Sequence, residues 1–156
     1  MQLSGQFERT LDDKGRVVLP ARLRELLEGQ KILITDFGDR LSIWPTDEFE
    51  RFVDDLTEDL LAKVDAGELD DVELNDTIEF LWAGAQPVKP DQQGRMVIPE
   101  ELLTDELRGA EVVLVGARDH INVFPAAAFY EKQRSMRPHV AGNVARHRPR
   151  RRSSDD

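Results

Sequence analysis

Short apolar runs, bounded by turn residues, alternate along both ends of the chain, while its middle carries apolar residues at helical spacing. Val17 to Leu19 and Met96 to Ile98 are strand-like runs, each entered through an Asp-x-x-Gly-Arg turn that a further short strand precedes. Pro20 and Pro99 follow, where a missing N–H is harmless to a starting helix, and predict short helices over 21–27 and 100–107. Lys31–Thr35 with Leu41–Trp44, and Glu111–Val115 with Ile121–Phe124, read as strand pairs turning at Gly38-Asp39 and Arg118-Asp119. Phe49, Phe52, Val53, Leu56, Leu60 and Val64 lie at helical spacing behind Thr46 as N-cap, with Asp47 and Glu48 suited to the positive end of the helix dipole. A break at Ala66-Gly67 separates this helix from a second one carrying Leu74, Ile78, Leu81 and Trp82. A last helix is expected from Ala126 to Met136, and Pro138 to Asp156, nearly without apolar residues, reads as disordered.

These elements repeat. Asp12-Asp13-Lys14-Gly15-Arg16-Val17-Val18-Leu19-Pro20 returns 79 residues later as Asp91-Gln92-Gln93-Gly94-Arg95-Met96-Val97-Ile98-Pro99. Asp39 to Pro45 matches Asp119 to Pro125 at an offset of 80, and Phe49 matches Phe129 at the same offset. One such nine-residue match arises by chance in roughly one chain in a thousand, and a second matched block makes coincidence a poor account. The chain is a duplication, divided as 1–50 for the first unit, 51–82 for a helical linker, 83–136 for the second unit and 137–156 for a basic tail.

Charge changes the picture. The net charge of −10 argues against a nucleic-acid partner until its distribution is examined. Residues 46–80 hold 14 acidic and 2 basic side chains, residues 1–40 hold 7 of each, and residues 131–156 hold 8 basic and 3 acidic ones. Because charges more than about 8–10 Å apart are screened at physiological salt, local potential decides the partner. The chain has no cysteine, so disulfides, thiolate metal sites and a cysteine nucleophile are excluded. No signal-peptide pattern or run of about 20 apolar residues is present, which predicts a cytoplasmic protein without a membrane partner.

The candidate chemistry is cationic. Arg16 and Arg95, each on its turn, can reach a guanine edge through two hydrogen bonds, or can pair with Asp12 and Asp91 and simply brace the turn. Gly15 and Gly94 supply positive φ angles there. Lys14 sits inside the first turn and is assigned a DNA contact; Arg9, Arg22, Arg24 and Lys89 cluster around the two turns as phosphate contacts, although Arg22 and Arg24 equally suit a solvated helix face. The acidic helices serve as a solvated face or as a partner surface, and the tail from Ala145 to Arg152 as a phosphate-binding arm, a contact to a neighbouring subunit or an inert end. His120, His139 and His147 show no metal-ligand spacing, and no P-loop or nucleophile elbow occurs, so neither an enzyme nor a bound metal or cofactor is expected.

The run Phe7 to Arg16 continuing through Leu19-Pro20-Ala21-Arg22-Leu23-Arg24, with the second Asp-x-x-Gly-Arg motif and Gly84-Ala85 before it, resembles the MraZ family, whose units are AbrB-like. The resemblance covers about residues 1–135. It implies an α+β fold in which two units interlock as a pseudo-twofold swapped-hairpin β-barrel with peripheral helices. It further implies a nucleoid-associated transcription regulator, assembled as a homo-oligomeric ring on direct repeats of double-stranded DNA upstream of division and cell-wall genes, with Arg16 and Arg95 as DNA contacts. Where the family usually has arginines in its linker helices, this chain has the acidic stretch Asp70 to Asp76. The competing reading is a scaffold whose acidic helices recruit a protein.

Overall fold

A computed structural model of the chain describes residues 2–147. Its strands are β1 (Leu3–Thr10), β2 (Arg16–Val18), β3 (Ile32–Asp36), β4 (Leu41–Pro45), β5 (Gln86–Val88), β6 (Arg95–Val97), β7 (Glu111–Arg118) and β8 (Ile121–Pro125). The helices are α1 (Ala21–Leu27), α2 (Thr46–Asp65), α3 (Asp71–Gly84) and α4 (Ala126–Arg146). The chain forms two compact units, Met1–Ala126 and Ala127–Asp156, so both copies of the repeat share the first.

The two copies exchange strands. In the six-stranded antiparallel sheet, ordered β1-β7-β8-β4-β3-β5, the first strand of each copy pairs with the hairpin of the other: β1 with β7, and β5 with β3. β2 and β6 form a separate two-stranded ribbon. The register exposes a local pseudo-dyad. Ser42 faces its own repeat equivalent Asn122 where β4 meets β8, and Val17 faces its equivalent Met96 where β2 meets β6. The sheet and the ribbon are distinct ladders, and among the described residues the strand pairing does not close into a barrel.

Side-chain alternation along the strands builds two cores. Ile34, Ile43, Leu114 and Val123 face inward and pack with Val17 and Met96 from the ribbon, together with Leu19, Leu23, Ile98 and Leu103. On the other face of the sheet, Leu33 and Trp44 pack against Phe49, Val53 and Leu81 of α2 and α3. The ribbon and the acidic helices therefore lie on opposite faces of one sheet. Thr35, Ser42 and Asn122 are buried polar residues, and each is used: Thr35 Oγ1 donates to the Leu81 carbonyl at 2.6 Å, Trp44 Nε1 donates to Ser42 Oγ at 2.7 Å, and Ser42 Oγ donates to Asn122 Oδ1 at 3.1 Å.

Several local expectations are corrected. Pro99 opens only a short 3₁₀ turn at Glu100–Leu102, not a helix over 100–107. Thr104 and Asp105 interrupt that segment with polar side chains that favour turns, whereas α1 is built from Ala, Arg, Leu and Glu. Thr46 is the first residue of α2 and not its cap; its hydroxyl donates to the Lys31 carbonyl at 3.3 Å. β5 has three residues against eight in β1, because Pro87 lacks an N–H and is tolerated only on the sheet edge, and Pro90 follows at once. Finally, α4 continues past Met136 to Arg146, with Pro138 inside it, so the disorder expected from Pro138 onward does not apply to that stretch. Met136, Val140 and Val144 recur every fourth residue there, a helical stripe that the low apolar content conceals. The rest of the predicted tail, residues 148–156, lies outside the described residues.

Candidate nucleic-acid interface

The two Asp-x-x-Gly-Arg turns are built alike. Asp12 Oδ1 accepts from the backbone N–H groups of Lys14 (3.0 Å) and Arg16 (2.8 Å), and Asp91 Oδ1 accepts from those of Gln93 (2.9 Å) and Arg95 (3.0 Å). The other carboxylate oxygen takes the guanidinium: Arg16 Nε donates to Asp12 Oδ2 at 2.6 Å, and Arg95 Nε to Asp91 Oδ2 at 2.7 Å. The aspartate thus fixes both the turn and the direction of its arginine. Both carboxyls are held below the ordinary aspartate value of 3.8, Asp12 chiefly by the Arg16 backbone N–H and Asp91 chiefly by the Arg95 side chain. A lowered folded-state value means that the brace is complete above the ordinary carboxylate range and is lost only as pH falls through the lowered value. It is therefore intact throughout the neutral range.

Gly15 and Gly94 permit the close approach of the turns to the opposite copy. Their φ angles are +84° and +83°, and a Cβ would sit 2.8 Å from the Ile98 carbonyl oxygen or 2.7 Å from that of Leu19. In the same crossing, Leu19 N–H donates to the Gly94 carbonyl (2.7 Å) and Ile98 N–H to the Gly15 carbonyl (2.8 Å). Each turn is locked to the strand end of the other repeat. Pro20 and Pro99 come immediately after, capping α1 and the 3₁₀ turn.

Alternation in the ribbon then decides what faces outward. Val17 and Met96 are buried, so Arg16, Val18, Arg95 and Val97 all point to solvent. The arginine side chains are 61% and 66% exposed. In the register Arg16 lies opposite Val97, and Arg95 opposite Val18, so the two arginines are diagonal neighbours. They are braced and exposed at once, because the aspartate takes only the Nε–H of each guanidinium. Arg95 Nη2 additionally donates to Gln93 Oε1 at 2.7 Å, a contact that Lys14 replaces with a positive charge in the first turn.

The other predicted cations divide. Lys14 is exposed on the first turn, and Lys89 is exposed two residues before Asp91. Arg24, on α1, reaches the second turn, where Nη1 donates to the Gln92 carbonyl at 2.9 Å. Arg22 is tied to Ser4 Oγ at the start of β1, and Arg9 Nη1 donates to the Glu8 carbonyl at 2.7 Å. Sequence reasoning missed Arg108, whose Nη1 donates to the Asp13 carbonyl at 3.0 Å and whose Nη2 pairs with Glu100. Asp13 and Gln92 are repeat equivalents, so Arg24 and Arg108 perform the same service for opposite turns. No repeat signal marks this, since Leu103 and Thr104 stand at the positions matching Arg24. Val18 and Val97 were also overlooked, although the repeat offset and the strand alternation together identify them.

Fold and site define a duplicated α+β protein whose strand-exchanged halves jointly display an arginine-bearing β-ribbon. The family model described as "MraZ protein, putative antitoxin-like" matches residues 2–72 and 81–139. The chain belongs to the MraZ family. It is 31% identical over 134 residues to the transcriptional regulator MraZ of Caldanaerobacter subterraneus subsp. tengcongensis, covering 85% of this chain and 87% of that protein. The protein of the same name from Cutibacterium acnes is 34% identical over 123 residues, covering 78% of this chain and 80% of that protein. The one from Thermus thermophilus is 29% identical over 122 residues, covering 77% and 79%. These relatives are named for regulation and not for catalysis. No described helix is long and apolar enough to cross a membrane.

Proposed function

We propose that the chain is a sequence-specific, double-stranded-DNA-binding transcription regulator, and that the β2–β6 ribbon is its reading surface. The observation that carries this is the pair of aspartate-oriented, outward-facing guanidiniums of Arg16 and Arg95 on the face of the sheet opposite the acidic helices. A two-stranded ribbon fits the major groove, and a guanidinium pairs bidentately with guanine O6 and N7. Diagonal neighbours on a ribbon lie roughly 7–8 Å apart, or about two base-pair steps at 3.4 Å each. Lys14 and Lys89, exposed beside the two turns, are assigned phosphate contacts, and Arg9 and Arg22 auxiliary ones. The sheet and ribbon are read as two walls of a swapped-hairpin barrel.

One ribbon makes few contacts, so affinity is assigned to multivalency. A homo-oligomeric ring engaging direct repeats can gain a factor of about 10²–10⁴ over a single site. The proposed target is the promoter of the division and cell-wall gene cluster, including the protein's own, which places the protein in the cytoplasm at the nucleoid. A second reading, a scaffold that recruits a protein, is favoured by one feature: α2 and α3 expose Leu61, Val72 and Phe80 among their carboxylates.

A mobility-shift titration on DNA from upstream of the gene, repeated from low to high salt, separates the two. The regulator reading predicts specific shifts whose affinity falls steeply with salt, by about 0.9 in log–log slope per neutralised phosphate. A stable oligomer that shifts no upstream DNA at low salt supports the scaffold instead.

A further inference from the structure

The nine-residue motif retains five identical residues between its copies: the aspartate, the glycine, the arginine, one valine and the proline. Four have reasons already visible. Asp12 and Asp91 brace their turns, Gly15 and Gly94 admit the crossing backbone, Pro20 and Pro99 open the segments that follow, and Arg16 and Arg95 are the proposed DNA contacts. The fifth, Val18 and Val97, has no such reason. Neither is a core residue: they are 42% and 57% exposed, on the outward face of the ribbon. Meanwhile the inward neighbours have diverged, to Val17 and Met96 and to Leu19 and Ile98. A strand face turned permanently to water is equally well served by threonine, which suits a strand as valine does, and an exposed valine there is unfavourable to solvation.

The register gives the valines a context. Val97 lies directly opposite Arg16, and Val18 directly opposite Arg95, so every outward arginine has a branched apolar side chain beside it from the other repeat. Opposed residues on one ribbon face stand about 4.5–5.5 Å apart at Cβ, within the span of neighbouring base edges. Among the major-groove edges of the four bases, the C5-methyl of thymine is the apolar group.

We propose that Val18 and Val97 are specificity-determining residues, each packing on the C5-methyl of a thymine next to the guanine engaged by the arginine opposite. This rests on the ribbon being a DNA-reading surface. The sites preferred by this chain then pair each contacted guanine with a neighbouring thymine, and the arginines alone do not account for the sequence preference.

The test uses the full-length protein and a duplex recovered by selection from a random-sequence pool, with each thymine replaced in turn by uracil. That change removes only the methyl group and leaves the protein unaltered, so a folding defect cannot imitate the outcome. The expected result is a roughly fourfold loss of affinity per contacted methyl, the effect of leaving one such group unburied. A Val18→Ala, Val97→Ala double variant should bind the thymine duplex more weakly and no longer distinguish it from the uracil one, whereas Val18→Ile should keep the distinction. Arg16-dependent binding that is indifferent to uracil at every position overturns the assignment of the valines and leaves the DNA reading standing. Failure to recover any preferred sequence overturns both.

Discussion

At the residue scale, the candidate site is governed by two glycines and two aspartates. The aspartates were legible in the sequence as turn residues beside arginines, and bracing versus DNA contact stood as alternatives for those arginines. The two roles are compatible, because a guanidinium has five N–H donors and the aspartate takes only the one on Nε. What spacing could not convey is why the glycines are needed twice over: for their positive φ and for the carbonyl of the other copy packed against them. Gly15→Ala and Gly94→Ala should each lower unfolding free energy by about 2 kcal/mol or more, since left-handed strain of about 1–2 kcal/mol adds to a backbone clash that no rotamer relieves. Urea titration of the two variants measures this. Wild-type stability in either one would mean that the turns are not locked to the opposite strand ends.

At the element scale, hydrophobic period located the elements well where packing is two-layered, and less well where one residue type decides. The β3–β4 and β7–β8 hairpins emerged from apolar runs and turn residues, and α2 and α3 from helical spacing around the Ala66-Gly67 break. The proline start is the same in both copies and predicts a helix after each, while Thr104 and Asp105 end only the second, which closes as a 3₁₀ turn. Composition averages away a stripe of one apolar residue per turn, so α4 runs past the Met136 end that the sequence predicts. The service of Arg24 and Arg108 was illegible in principle, since each holds a backbone carbonyl that belongs to the other repeat and no shared motif position encodes it. Their role predicts that Arg108→Ala should weaken specific DNA binding severalfold by loosening the first turn, with only a small drop in thermal midpoint. Binding by that variant at the wild-type level would leave Arg108 as a bystander to recognition.

At the scale of the whole compact unit, the duplication explains both the fold and the separation of charge. Exchange of β1 and β5 between the hairpins makes neither copy complete alone and brings Arg16 and Arg95 into one ribbon although 79 positions separate them. The sheet then holds α2 and α3, which with the turn between them carry the 14 carboxylates of residues 46–80, across from that ribbon, so a strongly acidic chain presents its two arginine-bearing turns away from its acidic helices. The duplication was evident from the repeat offsets, but the strand exchange came from the family resemblance and not from the pattern of residues.

The central claim is that two guanidiniums, oriented by their own aspartates, read DNA together. Its most direct test is the affinity of an Arg16→Ala, Arg95→Ala double variant for a selected duplex against a scrambled one, alongside its thermal unfolding. Loss of about 2–6 kcal/mol of discrimination, from two guanine contacts worth about 1–3 kcal/mol each, in a chain that still unfolds near the wild-type temperature, is the predicted result. A folded double variant that still prefers the selected duplex as strongly as wild type does would contradict it.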